Sequence, residues 1–167
     1  MAWSGARFDD ERAVPGLDHD AEAVALALER LYAGGVGSWA RDMATFGGRM
    51  GRSDLIILLT DGFDEGCIEA AEKLARSGRD LCLIQILTAD ERDFPFHHGH
   101  RFRDVESGAE VLGDGRAMRD DFLARFAAAR TALDTRLDAL GVRHAAHVID
   151  QPADQPIRDL FRTGGRR

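Results

Sequence analysis

The sequence predicts an α/β fold of three layers, in which a mostly parallel sheet carries helices on both faces and a small surface hairpin is added. Short apolar segments of the kind that form buried parallel strands are separated by amphipathic helical patterns. A helix between two such strands indicates a βαβ unit with a right-handed crossover. The predicted strands are Leu55–Thr60, Leu81–Leu87 and Val142–Ile149.

Upstream of the first strand, residues 1–53 contain only helix and loop signals. Asp18 can cap a helix that ends near Ala33, before Gly34 and Gly35. One face of this helix is formed by Ala21, Val24, Ala25, Leu28, Leu31 and Tyr32. A shorter helix is predicted from Ser38 to Phe46.

The segments between and after the strands are predicted as two helices and a hairpin. Asp64 caps a helix to about Ser77, and the alternating pattern of Phe102–Leu112 around Ser107-Gly108 predicts the hairpin. A final helix includes Ile157, Leu160 and Phe161.

A long amphipathic helix is predicted from Arg116 to Leu140. Its apolar stripe consists of Met118, Phe122, Phe126, Ala129, Leu133, Leu137 and Leu140. Packing of this stripe against the sheet is favoured over binding to a partner helix.

Composition limits the class of protein. The 167 residues predict one domain over residues 18–163, with a loose lead-in at 1–17 and a frayed tail at 164–167. The net charge of −7 argues against general nucleic-acid binding, which needs a basic face. We expect no membrane segment and no signal peptide, and two buried thiols at Cys67 and Cys82, all of which favour a cytoplasmic protein.

The strongest functional signal is Asp61, which follows the first strand within Thr60-Asp61-Gly62. Open α/β sheets place their binding sites at the carboxyl ends of their strands. The neighbouring Asp64 and Glu65 are explained more simply as a helix cap and a charge that complements the helix dipole.

Other candidates are weaker. His97, His98 and His100 could bind a metal, but adjacent side chains of an extended segment point apart. Asp90, Glu91 and Asp93 could act as an acid–base set, although a solvated acidic turn is the simpler interpretation. His144 and His147 are predicted on opposite faces of the last strand. Gly34–Gly37 lacks the Lys-Ser/Thr ending of a phosphate loop.

Four motifs carry a family resemblance that extends from about Leu28 to Leu160. They are Gly34–Trp39, Ser53–Asp64, Ile86–Phe94 and Phe102–Gly108. The chain resembles the C-terminal part of a von Willebrand factor A-like domain and, more narrowly, the bacterial domain of unknown function fifty-eight family.

The resemblance implies a degenerate metal-ion-dependent adhesion site. Such domains hold Mg²⁺ with Asp-x-Ser-x-Ser, a Thr and an Asp, and Asp61 matches the last of these ligands. Gly37 stands where the Thr would be, with Ser38 beside it, and Asp-x-Ser-x-Ser is absent. We therefore expect no cofactor, with Mg²⁺ binding at Asp61 as the alternative. Partner binding is predicted through Asp61, Gly62, Asp64 and Ser38.

The implied function is a non-enzymatic protein–protein interaction module that acts with a MoxR-type AAA ATPase in the assembly or maturation of other proteins. One alternative is a small metal-dependent hydrolase or phosphotransfer enzyme that uses Asp61 and the Asp90–Asp93 turn. A second is a vestigial fragment without activity. Because the family's first three strands have no counterpart, self-association through the edge of strand 55–60 is also predicted.

Overall fold

The computed structural model describes residues 51, 53–103 and 109–162. The predicted lead-in, both predicted N-terminal helices, Ser38, the tip of the hairpin and the tail lie outside these residues. The strands are β1 (Leu55–Thr60), β2 (Asp80–Leu87), β3 (Gly99–Arg103), β4 (Glu110–Asp114) and β5 (Arg143–Val148), and the helices are α1 (Glu65–Arg76), α2 (Ala89–Asp93), α3 (Gly115–Ala139) and α4 (Gln155–Arg162).

The main sheet confirms the predicted α/β class. Its three strands are parallel, in the order β1-β2-β5. The strand buried on both faces is β2, where Leu83 and Cys82 are both fully buried. Within the described residues β1 forms an edge of this sheet, which is the position that the predicted self-association through strand 55–60 requires, while the self-association itself stays a prediction. An unbroken apolar run reveals low polarity on both faces of a strand, but it does not reveal how many neighbours the strand has.

Helices cover both faces of this sheet, as predicted. On one face, which we call the α1/α3 face, Ile68 of α1 and Leu137 of α3 pack into one core with Leu83. On the opposite α4 face, Leu160 of α4 packs against Cys82 and Ile84 of β2. These two clusters divide the hydrophobic core between the two sides of β2.

An ion-pair network joins α1 to α3. The Arg136 guanidinium donates to both carboxylate oxygens of Glu65, at 2.8 and 3.0 Å, and to Glu72 at 2.8 Å. These hydrogen bonds hold the pKa of both carboxyl groups below their usual values. Arg136 therefore fixes α3 along α1, next to the buried Leu137.

Both cysteines are buried free thiols, as predicted. Cys67 belongs to the core of the α1/α3 face and Cys82 to that of the α4 face. Burial raises the pKa of the Cys67 thiol to about 11, which makes it a poor nucleophile at neutral pH. In the part of the chain that the structure describes, no helix has the length and apolar character to cross a membrane.

The predicted hairpin is confirmed as the antiparallel pair β3–β4. Phe102 of β3 stacks on Phe94, which follows α2, at a centroid distance of 5.9 Å. The hairpin is thereby attached to the domain through aromatic contacts.

Candidate functional site

The turn between β1 and α1 is held by three short-range hydrogen bonds. The Gly62 amide donates to the Thr60 hydroxyl at 3.1 Å, and the Phe63 amide donates to Asp61 Oδ1 at 3.1 Å. Asp64 Oδ1 accepts from the Cys67 amide at 2.6 Å and caps α1. The capping role predicted for Asp64 is thus present, while its role in partner binding stays a prediction.

Gly62 presses this turn onto the core. Its φ of +79° is in the left-handed region, and a Cβ placed there would lie 2.8 Å from Leu133 Cδ2 and 3.0 Å from Gln85 Nε2. The same Gln85 amide donates to the Asp61 carbonyl oxygen at 2.8 Å. Only glycine fits this position without strain, and it fixes the directions of the residues on either side.

Asp61 is half-buried, and within the described residues the Phe63 amide is the hydrogen-bond donor to its carboxylate, which forms no ion pair there. Among residues 51, 53–103 and 109–162, no group of three or more His, Cys, Asp or Glu side chains is arranged to hold a metal ion. Asp61 alone does not fit the six oxygen ligands that Mg²⁺ requires. Ser38, the other predicted oxygen donor, lies outside the described part of the chain.

Beside Asp61, the Phe63 ring is 49% exposed and forms one wall of a pocket. The pocket has a volume of about 430 Å³ and lies where β1 and β2 end. We call it the Phe63 pocket; its lining residues are Phe63, Glu91, Met118, Asp121, Phe122, Arg125, Phe126 and Ala129. Its position is the one at which open α/β sheets bind their ligands.

The apolar stripe of α3 is divided between the core and this pocket. Leu133 and Leu137 are 6% and 1% exposed, whereas Met118 is 40% exposed. A helix of 25 residues is about 37 Å long, while a six-residue strand spans about 20 Å. Since Leu133 already lies against Gly62 at the end of β1, residues 115–132 extend beyond the sheet. Core packing, the predicted role of the whole stripe, therefore applies to its C-terminal part.

A continuous row of aromatic rings connects the turn to the hairpin. Successive centroid distances are 6.0 Å for Phe63–Phe126, 5.9 Å for Phe126–Phe122, 4.5 Å for Phe122–Phe94 and 5.9 Å for Phe94–Phe102. Each such contact stabilises the arrangement by about 0.5–1.5 kcal/mol beyond burial alone. The row connects the projecting half of α3 to the β1–α1 turn at one end and to the hairpin at the other.

The acidic segment after β2 forms the short helix α2, which the sequence analysis did not predict. Thr88 and Glu91 make a capping box, in which Glu91 Oε2 accepts from the Thr88 amide at 2.7 Å. Asp93 pairs with Arg92, which lowers the pKa of Asp93, and Arg92 also reaches Asp150. Glu91 and Asp93, proposed as acid–base candidates, are thus occupied in structural contacts.

The histidines do not converge on this site. His97, His98 and His100 are all exposed, and the His100 ring packs edge-on against Phe96 at 5.1 Å. His144 and His147 lie on opposite faces of the sheet, as predicted. His144 lies 3.3 Å from Asp134, whereas His147 is buried on the α4 face.

The sequence analysis missed Phe63, Phe122 and Phe126 as site residues. The available signal was Phe63 itself, a large apolar residue between two acidic positions of a turn, where soluble proteins usually carry small or polar side chains.

Comparisons with known proteins do not assign the chain to a family. No protein-family model matches it, and no curated protein is significantly similar. Among solved structures it is similar to the conserved hypothetical protein BatB from Bacteroides thetaiotaomicron, with a TM-score of 0.40 and 12% identity over 84% of this chain and 69% of that one. A TM-score at this level carries no conclusion about function, so the family resemblance stays a prediction.

Proposed function

We propose that the protein is a non-enzymatic interaction module that binds a partner protein at the carboxyl edge of its sheet, with an apolar side chain of the partner in the Phe63 pocket. The proposal rests on the exposure of Phe63, at 49%, on a turn whose backbone is tightly fixed. Rigidly held, exposed aromatic rings are typical of residues that dominate the binding energy of protein interfaces.

The dimensions and composition of the pocket support this function. Its volume of about 430 Å³ lies within the range of roughly 300–1,000 Å³ that is typical of binding pockets. Its lining combines aromatic rings with the charged side chains of Glu91, Asp121 and Arg125. An apolar surface with a polar margin is characteristic of interaction sites.

Asp61 contributes a charge next to the apolar surface. Its Oδ1 atom orients the Phe63 amide, and its position at the end of β1 allows the carboxylate to accept a hydrogen bond from a partner. The resemblance to von Willebrand factor A-like domains suggests the class of partner, a MoxR-type AAA ATPase of the same bacterial cytoplasm, and a role in assembly or maturation of other proteins.

Substitution of Asp61 distinguishes binding from catalysis. We expect Asp61→Ala to weaken binding to a purified MoxR-type ATPase from the same genome by about 10- to 150-fold, because hydrogen bonds to charged groups contribute about 1.5–3 kcal/mol. Asp61→Asn should have a smaller effect, since it keeps the acceptor for the Phe63 amide. Isothermal titration calorimetry measures both variants.

The matched control is Asp138→Ala, an exposed acidic residue at the opposite end of α3, which should bind as the wild type does. In parallel, p-nitrophenyl phosphate and p-nitrophenyl acetate are incubated with each protein and Mg²⁺, and no turnover is expected. Mg²⁺-dependent turnover that Asp61→Ala abolishes would contradict the proposal and support the enzymatic alternative.

A further inference from the structure

Two carboxylates at the Phe63 pocket have no cationic partner among the residues that the structure describes. Asp61 Oδ1 accepts from the Phe63 amide at 3.1 Å, and Glu91 Oε2 accepts from the amide and the hydroxyl of Thr88, both at 2.7 Å. These donors are uncharged, so they leave the negative charge of each carboxylate uncompensated. Asp61 follows β1 and Glu91 belongs to α2, which follows β2, so both charges lie at the carboxyl edge of the sheet.

The arginines near this edge contact other groups. Arg125, which lines the pocket, pairs with Asp121 of the same helix at 2.9 Å, so the two together add no net charge. Arg92 pairs with the Asp93 carboxylate, and Arg119 donates to the Asp93 carbonyl oxygen at 3.2 Å. Within the described part of the chain, none of these three arginines forms an ion pair with either of the two uncompensated carboxylates.

The Phe63 pocket therefore combines exposed aromatic surface with a net negative charge. Its lining contains two carboxylates and one guanidinium, and Asp61 beside Phe63 adds a third carboxylate, so the local net charge is −2. A partner that covers the pocket removes water from these carboxylates, which is unfavourable unless the partner supplies a cation in its place. Charge complementarity of this kind selects one class of partner and suppresses others.

We infer that the segment of the partner that binds in the Phe63 pocket is basic, with lysine or arginine on either side of its apolar side chain. The inference rests on the function proposed above and adds the chemistry of the partner. A lysine or arginine of the partner would donate to the carboxylates of Asp61 and Glu91, which are both partly exposed. Its cation can also lie over the exposed Phe63 ring. An acidic segment would add repulsion to the loss of water, so it should bind more weakly.

Two synthetic peptides of equal length test this chemistry. Both carry Leu-Phe at the centre, which is flanked by lysines in one peptide and by glutamates in the other. We expect the basic peptide to bind the protein at least about tenfold more tightly, as measured by titration in two-dimensional NMR spectra. Raising NaCl from about 50 mM to about 500 mM should reduce this preference severalfold, because salt screens the attraction between charges.

A double variant, Asp61→Asn with Glu91→Gln, removes both charges and keeps the oxygen atoms that accept the internal hydrogen bonds. It should bind the basic peptide about tenfold more weakly and distinguish little between the two peptides. The matched control is Asp54→Asn with Asp138→Asn, which removes two exposed charges at the amino end of β1 and the C-terminal end of α3. The control should bind both peptides as the wild type does.

Equal affinity of the wild type for the two peptides, or tighter binding of the acidic one, would overturn the inference. If Phe63→Ala weakens both peptides in that case, the pocket still binds a partner and only the charge of the partner is wrong. Equal loss of the basic peptide in the control and in the double variant would also overturn the inference, because the attraction would then come from the acidic chain as a whole. Failure of both peptides to bind overturns it too, whereas the proposed function is decided by the titration with the ATPase.

Discussion

Gly62→Ala is expected to lower the free energy of unfolding by roughly 2–5 kcal/mol. About 1–3 kcal/mol comes from placing a non-glycine residue at positive φ, and a comparable amount from forcing a methyl group into a packed site. The new Cβ would lie 2.8 Å from Leu133 Cδ2, a branched side chain buried in the core. Urea denaturation monitored by circular dichroism measures the change.

Gly78→Ala separates the two contributions. Gly78 has nearly the same φ, +77°, but a Cβ there would meet no atom within 4 Å. We expect it to lose about 1–3 kcal/mol, from backbone strain alone. If both variants lose the same stability, the close contact between the β1–α1 turn and Leu133 is not a determinant of this fold.

The second large effect concerns α3. We expect Leu137→Ala to destabilise the domain by about 2–5 kcal/mol, because it leaves a cavity at a position that is 1% exposed. At roughly 2–4 °C per kcal/mol for a chain of this size, the melting temperature should fall by about 4–20 °C.

Met118→Ala provides the comparison on the same stripe. Met118 is 40% exposed at the pocket, and its truncation should destabilise the domain by about 1 kcal/mol or less. Differential scanning calorimetry of the two variants compares the stability that each one loses. It thereby tests whether only the C-terminal part of the α3 stripe belongs to the core. Equal losses would mean that the N-terminal part of α3 is as much a part of the core as the C-terminal part.

Local sequence signals were sufficient to predict most of the elements. β1 has the predicted bounds, and the Asp64 cap and the Gly141 stop mark the ends of α1 and α3 to within a residue or two. The chemistry of caps and strand periodicity is encoded within a few residues, which explains this success. The five-residue α2 was missed because a helix of about one turn leaves no periodic pattern.

Properties that depend on tertiary packing were harder to predict from the sequence. The apolar run Leu55–Leu59 gave no indication that Leu55, Ile57 and Leu59 on one face of β1 would be exposed. Similarly, the stripe of α3 has the same periodicity at Met118 as at Leu137, although only the second lies over the sheet. Which part of a helix meets a core depends on the lengths and positions of its neighbours, and this information is not local.

The sequence predicted where in the fold the candidate site lies, but it did not predict which side chains line it. Asp61 lies at the carboxyl end of β1 as expected. Most of the side chains that line the neighbouring Phe63 pocket come from α3, about 60 residues later in the chain. No spacing rule connects Phe63 to Phe126, whereas the fold brings their ring centroids to 6.0 Å.

The surface proposed to bind the partner is the Phe63 pocket. Its most direct test is the dissociation constant of Phe63→Ala for the purified MoxR-type ATPase, measured beside the wild type and Leu112→Ala. Leu112, 77% exposed on the hairpin and outside the pocket, serves as the apolar surface control. We predict a loss of about tenfold or more for Phe63→Ala, the effect of removing an interface anchor, and no change for Leu112→Ala. Equal affinity of Phe63→Ala and the wild type would mean that the partner does not bind at the Phe63 pocket.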